Sequence, residues 1–303
     1  MKFYNSVISI LFLLLLLSGC KNNNLEQKGS TSYIASIKQW HKTRIKNLED
    51  ENGWLNLVGL YWLKPGINKF GTDLGNDIVF PRGMAPGVIG SLTLNNGIVT
   101  VNVNPHVRVL CNGKPVYEMT LQNDNSGDPT VLGLGYLRWF IIKRENMYGV
   151  RLRNLNAPLL HDFKGIETFP VNEDWKITAK YVPNNPPKII SVQSIIGTTE
   201  KDTIPSSLVF TKDGKNYRLD PIIEGNQLFI IFADKTNGDE TYGAGRFLYA
   251  DMPEPGGNVI LDFNKSYNPP CAFTKYATCP LPPRQNYLDL KITAGEKKYN
   301  EPE

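Results

Sequence analysis

The chain is short of the residues that most enzymes use for acid–base and metal chemistry. It has 3 histidines and 4 cysteines in 303 residues. No Cys-x2-Cys or His-x3-His spacing occurs, so the common zinc frameworks are absent. No Gly-x-Ser-x-Gly elbow is present, and Ser266 has no histidine near it in sequence, which leaves serine hydrolysis little footing. The glycine-rich run Tyr242–Arg246 lacks the lysine and Ser/Thr of a phosphate loop. Nothing alternates strand with helix in the dinucleotide-binding manner. Charge is nearly balanced, with 33 Lys and Arg against 29 Asp and Glu, a net of +4, and no basic block. That distribution gives no support for a nucleic-acid partner. There is no internal repeat, no heptad pattern and no second membrane segment, and no cofactor is expected.

What is present begins with a leader. Lys2 supplies a positive start, and Val7–Leu17 is apolar but for Ser9, too short to span a bilayer and suited to a secretory core. Leu17-Ser18-Gly19-Cys20 follows directly and resembles the lipobox of bacterial lipoproteins. The resemblance implies cleavage after residue 19 (1–19 as signal peptide), lipidation of Cys20 and anchorage by acyl chains. It places the protein in the cell envelope, outside the inner membrane. Residues 20–32 are polar apart from Leu25 and read as a flexible lipidated tether. About 270 residues remain, enough for one large or two ordinary domains.

Thr31–Asp50 is the one clear helix, with Ile34, Ile37, His41, Ile45 and Leu48 at three- and four-residue spacing. Thr31 or Ser32 can cap it, charged residues fill the other face, and His41 reads as a packed helix histidine. From Trp54 onward the pattern is β. Short candidate strands recur at 77–80, 88–94, 98–103, 107–111, 115–121 and 131–143, with Asn95-Asn96-Gly97 and Asn112-Gly113 as hairpin signals. Tyr148–Arg153 alternates apolar and basic residues, as a half-buried strand does. His161–Gly165 reads as a bend. Further strands are expected at 175–182, 188–196, 206–211, 217–222 and 228–233, with Asn184–Pro187 as a spacer. The fold class is therefore mainly β: an N-terminal helix with a β-sandwich-like region over 33–145, then a C-terminal β-barrel-like region over 146–303. The order of features in 64–145 resembles a forkhead-associated β-sandwich. The residues with which such domains read phosphothreonine do not match. Thr72 follows Gly71, and Ala85-Pro86-Gly87-Val88 stands where the Ser and His would fall, so only a scaffold is implied.

The densest chemistry lies between Glu240 and Glu296. This stretch holds two cysteines, two Pro-Pro pairs, a Gly-Ala-Gly-Arg turn and an Asp-Phe-Asn triplet. The segments Glu240–Leu248, Leu261–Asn264, Tyr267–Phe273 and Tyr276–Pro283, with Asn286 and Ala294–Lys297, resemble the bacterial family catalogued as domain of unknown function 1684. Trp54–Leu60, Phe163–Gly165 and Phe169–Val171 extend the likeness. The resemblance implies no activity.

The residues leave several chemistries open. Cys271 and Cys279 share one proline-stiffened loop and are the candidate disulfide in an oxidising compartment, with Cys111 left as an odd thiol. The alternatives are a metal site joined from a distance by His161, although no complete ligand set is visible, or a catalytic Cys271. Arg246 and Asp262 sit beside apolar strand residues, where a charge is costly unless paired. An Arg246–Asp262 or Arg246–Glu240 pair would be structural. The same groups in a cleft could act as acid and base, or hold an anion through the guanidinium fork. The candidate catalytic or ligand-binding set is Glu240, Tyr242, Arg246, Asp262, Asn264, Asn268, Cys271 and Glu296. Three functions fit. The first is a ligand-binding or accessory module, for a small molecule or a protein, with its cleft at the Glu240–Glu296 motif. The second is a hydrolase-type enzyme using Cys271, or Glu240/Asp262 with Arg246. The third is a purely structural envelope protein.

Overall fold

A computed structural model describes residues 25–253 and 256–299. The leader, the lipobox and Cys20 lie outside the described residues. Helix α1 (Thr31–Glu49) is capped by Ser30, whose Oγ accepts from Tyr33 N at 3.2 Å, one residue earlier than expected. The end of the expected tether is docked. Lys28 N donates to Val171 O and Lys28 O accepts from Glu173 N, both at 2.9 Å. Those partners are distant in the chain, so a local reading cannot find them.

The helix is followed by eleven strands: β1 (Leu57–Trp62), β2 (Gly66–Gly71), β3 (Ile78–Val79), β4 (Gly90–Asn95), β5 (Ile98–Val103), β6 (Leu110–Cys111), β7 (Lys114–Pro115), β8 (Glu118–Leu121), β9 (Leu132–Leu134), β10 (Leu137–Arg144) and β11 (Met147–Asn154). They form two sheets, in the orders β1-β11-β10-β9-β6-β7 and β3-β2-β4-β5-β8. The sheets face each other across one apolar core that includes Phe70, Phe80, Leu92, Trp139 and Leu152, with Phe70, Phe80 and Trp139 in edge and tilted ring contacts. This is the expected sandwich. Its last hairpin, β10–β11, pairs Lys143 with Tyr148 across the turn Glu145–Asn146. A division at that turn would split one sheet, and the sandwich runs on to Asn154.

The second region opens with a short helix, α2 (Pro158–Asp162), in place of the expected bend. Seven strands follow: β12 (Lys176–Gln193), β13 (Thr199–Lys212), β14 (Lys215–Leu219), β15 (Ile222–Glu224), β16 (Gln227–Phe232), β17 (Arg246–Asp251) and β18 (Asn258–Asp262). Asn184–Pro187 does not divide β12. The strand passes through it with a register shift between Pro183 and Lys188, and Asn184 Nδ2 donates to Ile204 O at 3.1 Å. A four-stranded sheet (β14-β13-β12-β18) and a three-stranded sheet (β15-β16-β17) curve around a core of Trp175, Phe210, Phe232 and Phe263. β17 lies beside β18, and β15 beside β13, without forming ladders. The result is a barrel-like shell, open along two seams.

β11 is buried on both faces. Val150 and Leu152 face the sandwich core, while Arg151 and Arg153, 4% and 7% exposed, lie under other parts of the chain. The expected half-buried strand is thus fully covered, because Trp54 and Thr278 pack on its basic side. Trp139 is fully buried at the centre of the sandwich. Trp139→Ala should lower unfolding free energy by about 3–5 kcal/mol in urea titrations. A loss under about 1 kcal/mol would show that the two sheets do not share this core.

Candidate functional site

Arg246 opens β17 and is completely buried. Its partner is neither Asp262 nor Glu240 but Asp234, at 2.7 Å, with both side chains inaccessible. The guanidinium also donates to the carbonyls of Ala294 at 2.5 Å and Ile292 at 3.0 Å. Asp234 Oδ1 accepts from Thr236 N, Thr236 Oγ1 and Ile292 N. Burial pulls Arg246 below its ordinary guanidinium value, and Asp234 opposes that pull. Along 288–294, Leu288, Leu290, Ile292 and Ala294 point into the barrel core, and the intervening residues point out. Arg246 therefore fastens an extended plug across the barrel. Gly295, at φ +78°, lies where a Cβ would strike the carbonyls of Ser266 and Phe263. Gly245, at φ +93°, packs against Pro282 and Phe232 O in the same way.

The other expected site residues serve the same closure. Glu240 stands at the surface and pairs with Lys291 at 2.5 Å. Asp262 accepts from the Tyr33 hydroxyl at 2.8 Å, and Asn264 donates to that hydroxyl at 3.0 Å and to Asn172 O at 2.8 Å. Together they dock α1 on the barrel. Asn268 donates to Lys297 O, and its backbone N–H reaches Glu296 Oε2, both at 2.7 Å. Burial raises Glu296, while Arg44 and the Asn268 N–H counter it. Tyr242 donates to Cys271 O at 3.0 Å, and burial raises its phenol. The structure does not bring Glu240, Arg246 and Asp262 to one open site.

Cys271 and Cys279 are both free thiols, in contact with each other; Cys271 N–H donates to Cys279 Sγ at 3.2 Å. The hydrogen bond between the sulfurs lowers Cys271, and that bond together with burial raises Cys279. No histidine is hydrogen-bonded to either sulfur: His41 faces Ile166 O, His161 faces Asn156 and His106 is exposed. Among the described residues, no group of three His, Cys, Asp or Glu is placed to hold a metal.

An open cleft does exist, displaced from the buried arginine. It measures about 420 Å³ and lies between the sandwich, α1 and the barrel. Its wall is aromatic. Phe229 and Tyr249 stack at 4.9 Å, Tyr249 and Tyr267 lie nearly parallel at 6.3 Å, and Arg44 covers Tyr267 at 4.6 Å. Arg44 belongs to the inward stripe Tyr33-Ile37-Trp40-Arg44-Leu48 of α1, on the face assigned to apolar residues. Its stem packs inward and its head meets Glu296 and Asn268 O, at 3.4 and 2.9 Å. Arg144, from the end of β10, pairs with Asp124 at 2.7 Å and donates to Thr278 Oγ1 at 3.0 Å. Tyr249 donates to Glu224 at 2.7 Å. Arg144, Glu224, Phe229, Thr278 and Pro280 continue into an adjoining groove of similar volume. Beside it, burial and the neighbouring Arg144 pull Arg151 down to about 10. Of the cleft residues, Phe247, Tyr249, Tyr267, Pro270, Thr278, Cys279 and Pro280 lie in the 240–296 stretch. Arg44, Arg144 and Phe229 lie outside that stretch and carried no local signal beyond the helical spacing of Arg44.

The chain is thus a mainly β protein whose charged signature residues close a barrel and whose aromatic ones line a cleft. Residues 161–297 match the family model "Protein of unknown function (DUF1684)". An uncharacterised protein of Haloarcula marismortui, solved by solution NMR, is similar at 30% identity over 45% of this chain and 78% of its own, with a TM-score of 0.39. No curated protein matches the chain.

Removing one partner of a sealed ion pair strands the other charge. Arg246→Met should cost about 3–5 kcal/mol of stability, and adding Asp234→Asn should restore part of it. Chemical denaturation of both variants measures this. A near-neutral Arg246→Met would remove the closure role.

Proposed function

We propose that the protein is a ligand-binding module of the cell envelope, lipid-anchored through Cys20, with its site in the aromatic cleft between sandwich and barrel. The carrying observation is the column Phe229–Tyr249–Tyr267, in which the buried Phe229 and the partly covered tyrosines edge a small apolar cluster and also line an open concavity. Aromatic rings along a concavity, beside a few polar groups, suit a small ligand with a planar or apolar face. The cleft draws on the motif stretch but is offset from the charged residues first singled out. A hydrolase built on Glu240, Asp262 and Arg246 has no support in their separation. The adjacent thiols of Cys271 and Cys279 would close to a disulfide in the oxidising compartment that the leader implies, stiffening the cleft rim.

Two measurements test the two halves of this reading. Metabolic labelling with palmitate should mark the protein and move it to the membrane fraction, and Cys20→Ser should abolish both. An unlabelled parent would sink the anchor. For the cleft, a panel of small aromatic and cyclic compounds should include one that saturably quenches tryptophan fluorescence through Trp54. Tyr249→Ala should weaken that binding about tenfold. Quenching indifferent to Tyr249→Ala would place the ligand elsewhere.

A further inference from the structure

The two arginines on the outer face of β11 have different surroundings. Arg153 donates through Nη1 to Asn56 Oδ1 at 2.8 Å and to the Gly53 carbonyl, neutral acceptors, although its Nε is buried without a partner and it makes no ion pair among the described residues. Arg151 is 4% exposed, and its one hydrogen bond goes to Thr278 Oγ1 at 3.3 Å. Its Nε is buried without a partner, and among the described residues it makes no ion pair. The ring of Trp54, 5.5 Å away, offers only its face. A guanidinium withdrawn from water with no anion beside it is costly, and nothing in the fold described above requires it.

Thr278 links this charge to the cleft. Its hydroxyl oxygen accepts from Arg144 as well as Arg151, so both lone pairs are taken and its hydrogen is left to donate. Thr278 and Arg144 line the cleft side by side, within reach of the Phe229–Tyr249 stack. Asp124 is ion-paired with Arg144 and acts on Arg151 only at longer range, so Arg151 has no direct anionic partner and fewer hydrogen bonds than Arg153. Glu224, held by the Tyr249 hydroxyl, lines the cleft where it meets the adjoining groove, and Glu200 and Asp202 line that groove; together they would repel a second anionic group.

On the reading of the cleft as a ligand site, we propose that Arg144, Arg151 and Thr278 form an oxyanion-recognition corner at its floor. The ligand class is a small molecule carrying one compact oxyanion, carboxylate or phosphate, on a planar apolar body. The body lies along Phe229 and Tyr249. The oxyanion takes the Thr278 hydrogen and an Arg144 N–H, with the buried charge of Arg151 behind them. Polyanions are excluded by the acidic groove.

Three probes with the same body separate the outcomes: benzoate, phenyl phosphate and the neutral benzyl alcohol, titrated into the purified full chain by fluorescence and thermal shift. At least one anion should bind about tenfold or more tighter than benzyl alcohol, and the better of the two identifies the oxyanion. Thr278→Val and Arg151→Met should each erase that preference and leave benzyl alcohol binding unchanged. Arg151→Met should also melt no lower than the parent, since it removes an unpaired buried charge. Equal binding of all three probes would overturn the oxyanion corner while leaving the cleft as a site. No binding of any probe would overturn both. If Arg151→Met fails to fold, Thr278→Val decides: an intact anion preference in that variant refutes the proposal.

Discussion

The Arg246–Asp234 pair is the interaction on which the C-terminal half depends. Two opposite charges with no access to water sit at one end of the barrel, and each is costly alone. What supports the arrangement is hydrogen bonding from both terminal guanidinium nitrogens, with only the buried Arg246 Nε left unpartnered. Asp234 organises its own turn through Thr236 and accepts from Ile292 N–H, while Arg246 donates to the Ile292 and Ala294 carbonyls. The first part of the plug pairs with the backbone of 233–235, through Leu288 N–H to Ala233 O and Lys235 N–H to Leu290 O, and the ion pair supplies the polar contacts of Ile292 and Ala294 beyond it. Leu288, Leu290 and Ile292 can then cover Phe232 and Phe263. A hydrophobic pair of equal volume could fill the space but could not hold those carbonyls.

The same closure sets the cleft. Gly295 lies against the Ser266 carbonyl, which accepts Glu296 N–H at 2.8 Å. The next residue, Tyr267, exchanges two backbone hydrogen bonds of 2.9 Å with Phe247. That exchange stands Tyr267 beside Tyr249, and Glu296 fixes Arg44 over its ring. The wall of the cleft is therefore the outer surface of the closure. Its opposite side comes from the sandwich, where β10 and β11 turn Arg144 and Arg151 toward Thr278. Neither half makes the concavity alone.

Periodicity made much of this fold legible. Asn-Gly turns and alternating runs gave the sandwich, and three- and four-residue spacing gave α1. What escaped were pairings over long sequence distances. Asp262 looked like a partner for Arg246 because both flank apolar residues, yet Asp262 serves Tyr33 at the other end of the described chain. Asp234, the true partner, stands in a run of turn residues and looks like surface. Tyr148–Arg153 read as one wet face and one dry face, because alternation cannot report a second layer packed on the polar side. The aromatic column also has no local period: its rings come from β16, β17 and the loop after β18.

The closure accounts for nearly every charged residue of the family signature, which would favour a purely structural protein if nothing else were present. Arg151 breaks that account. A fold seeking only stability would place a Met or Leu under Trp54 and avoid both the desolvation of the guanidinium and its repulsion by Arg144. Tyr249, only partly covered where it stacks on the buried Phe229, raises the same difficulty, since a ring that lines an open cleft contributes less to folding than the same ring sealed in a core. Two local costs that adjoin the same concavity are what a site looks like when stability has been given up for recognition. The signature residues and the cleft thus divide the labour, one building the frame and the other using the face it presents.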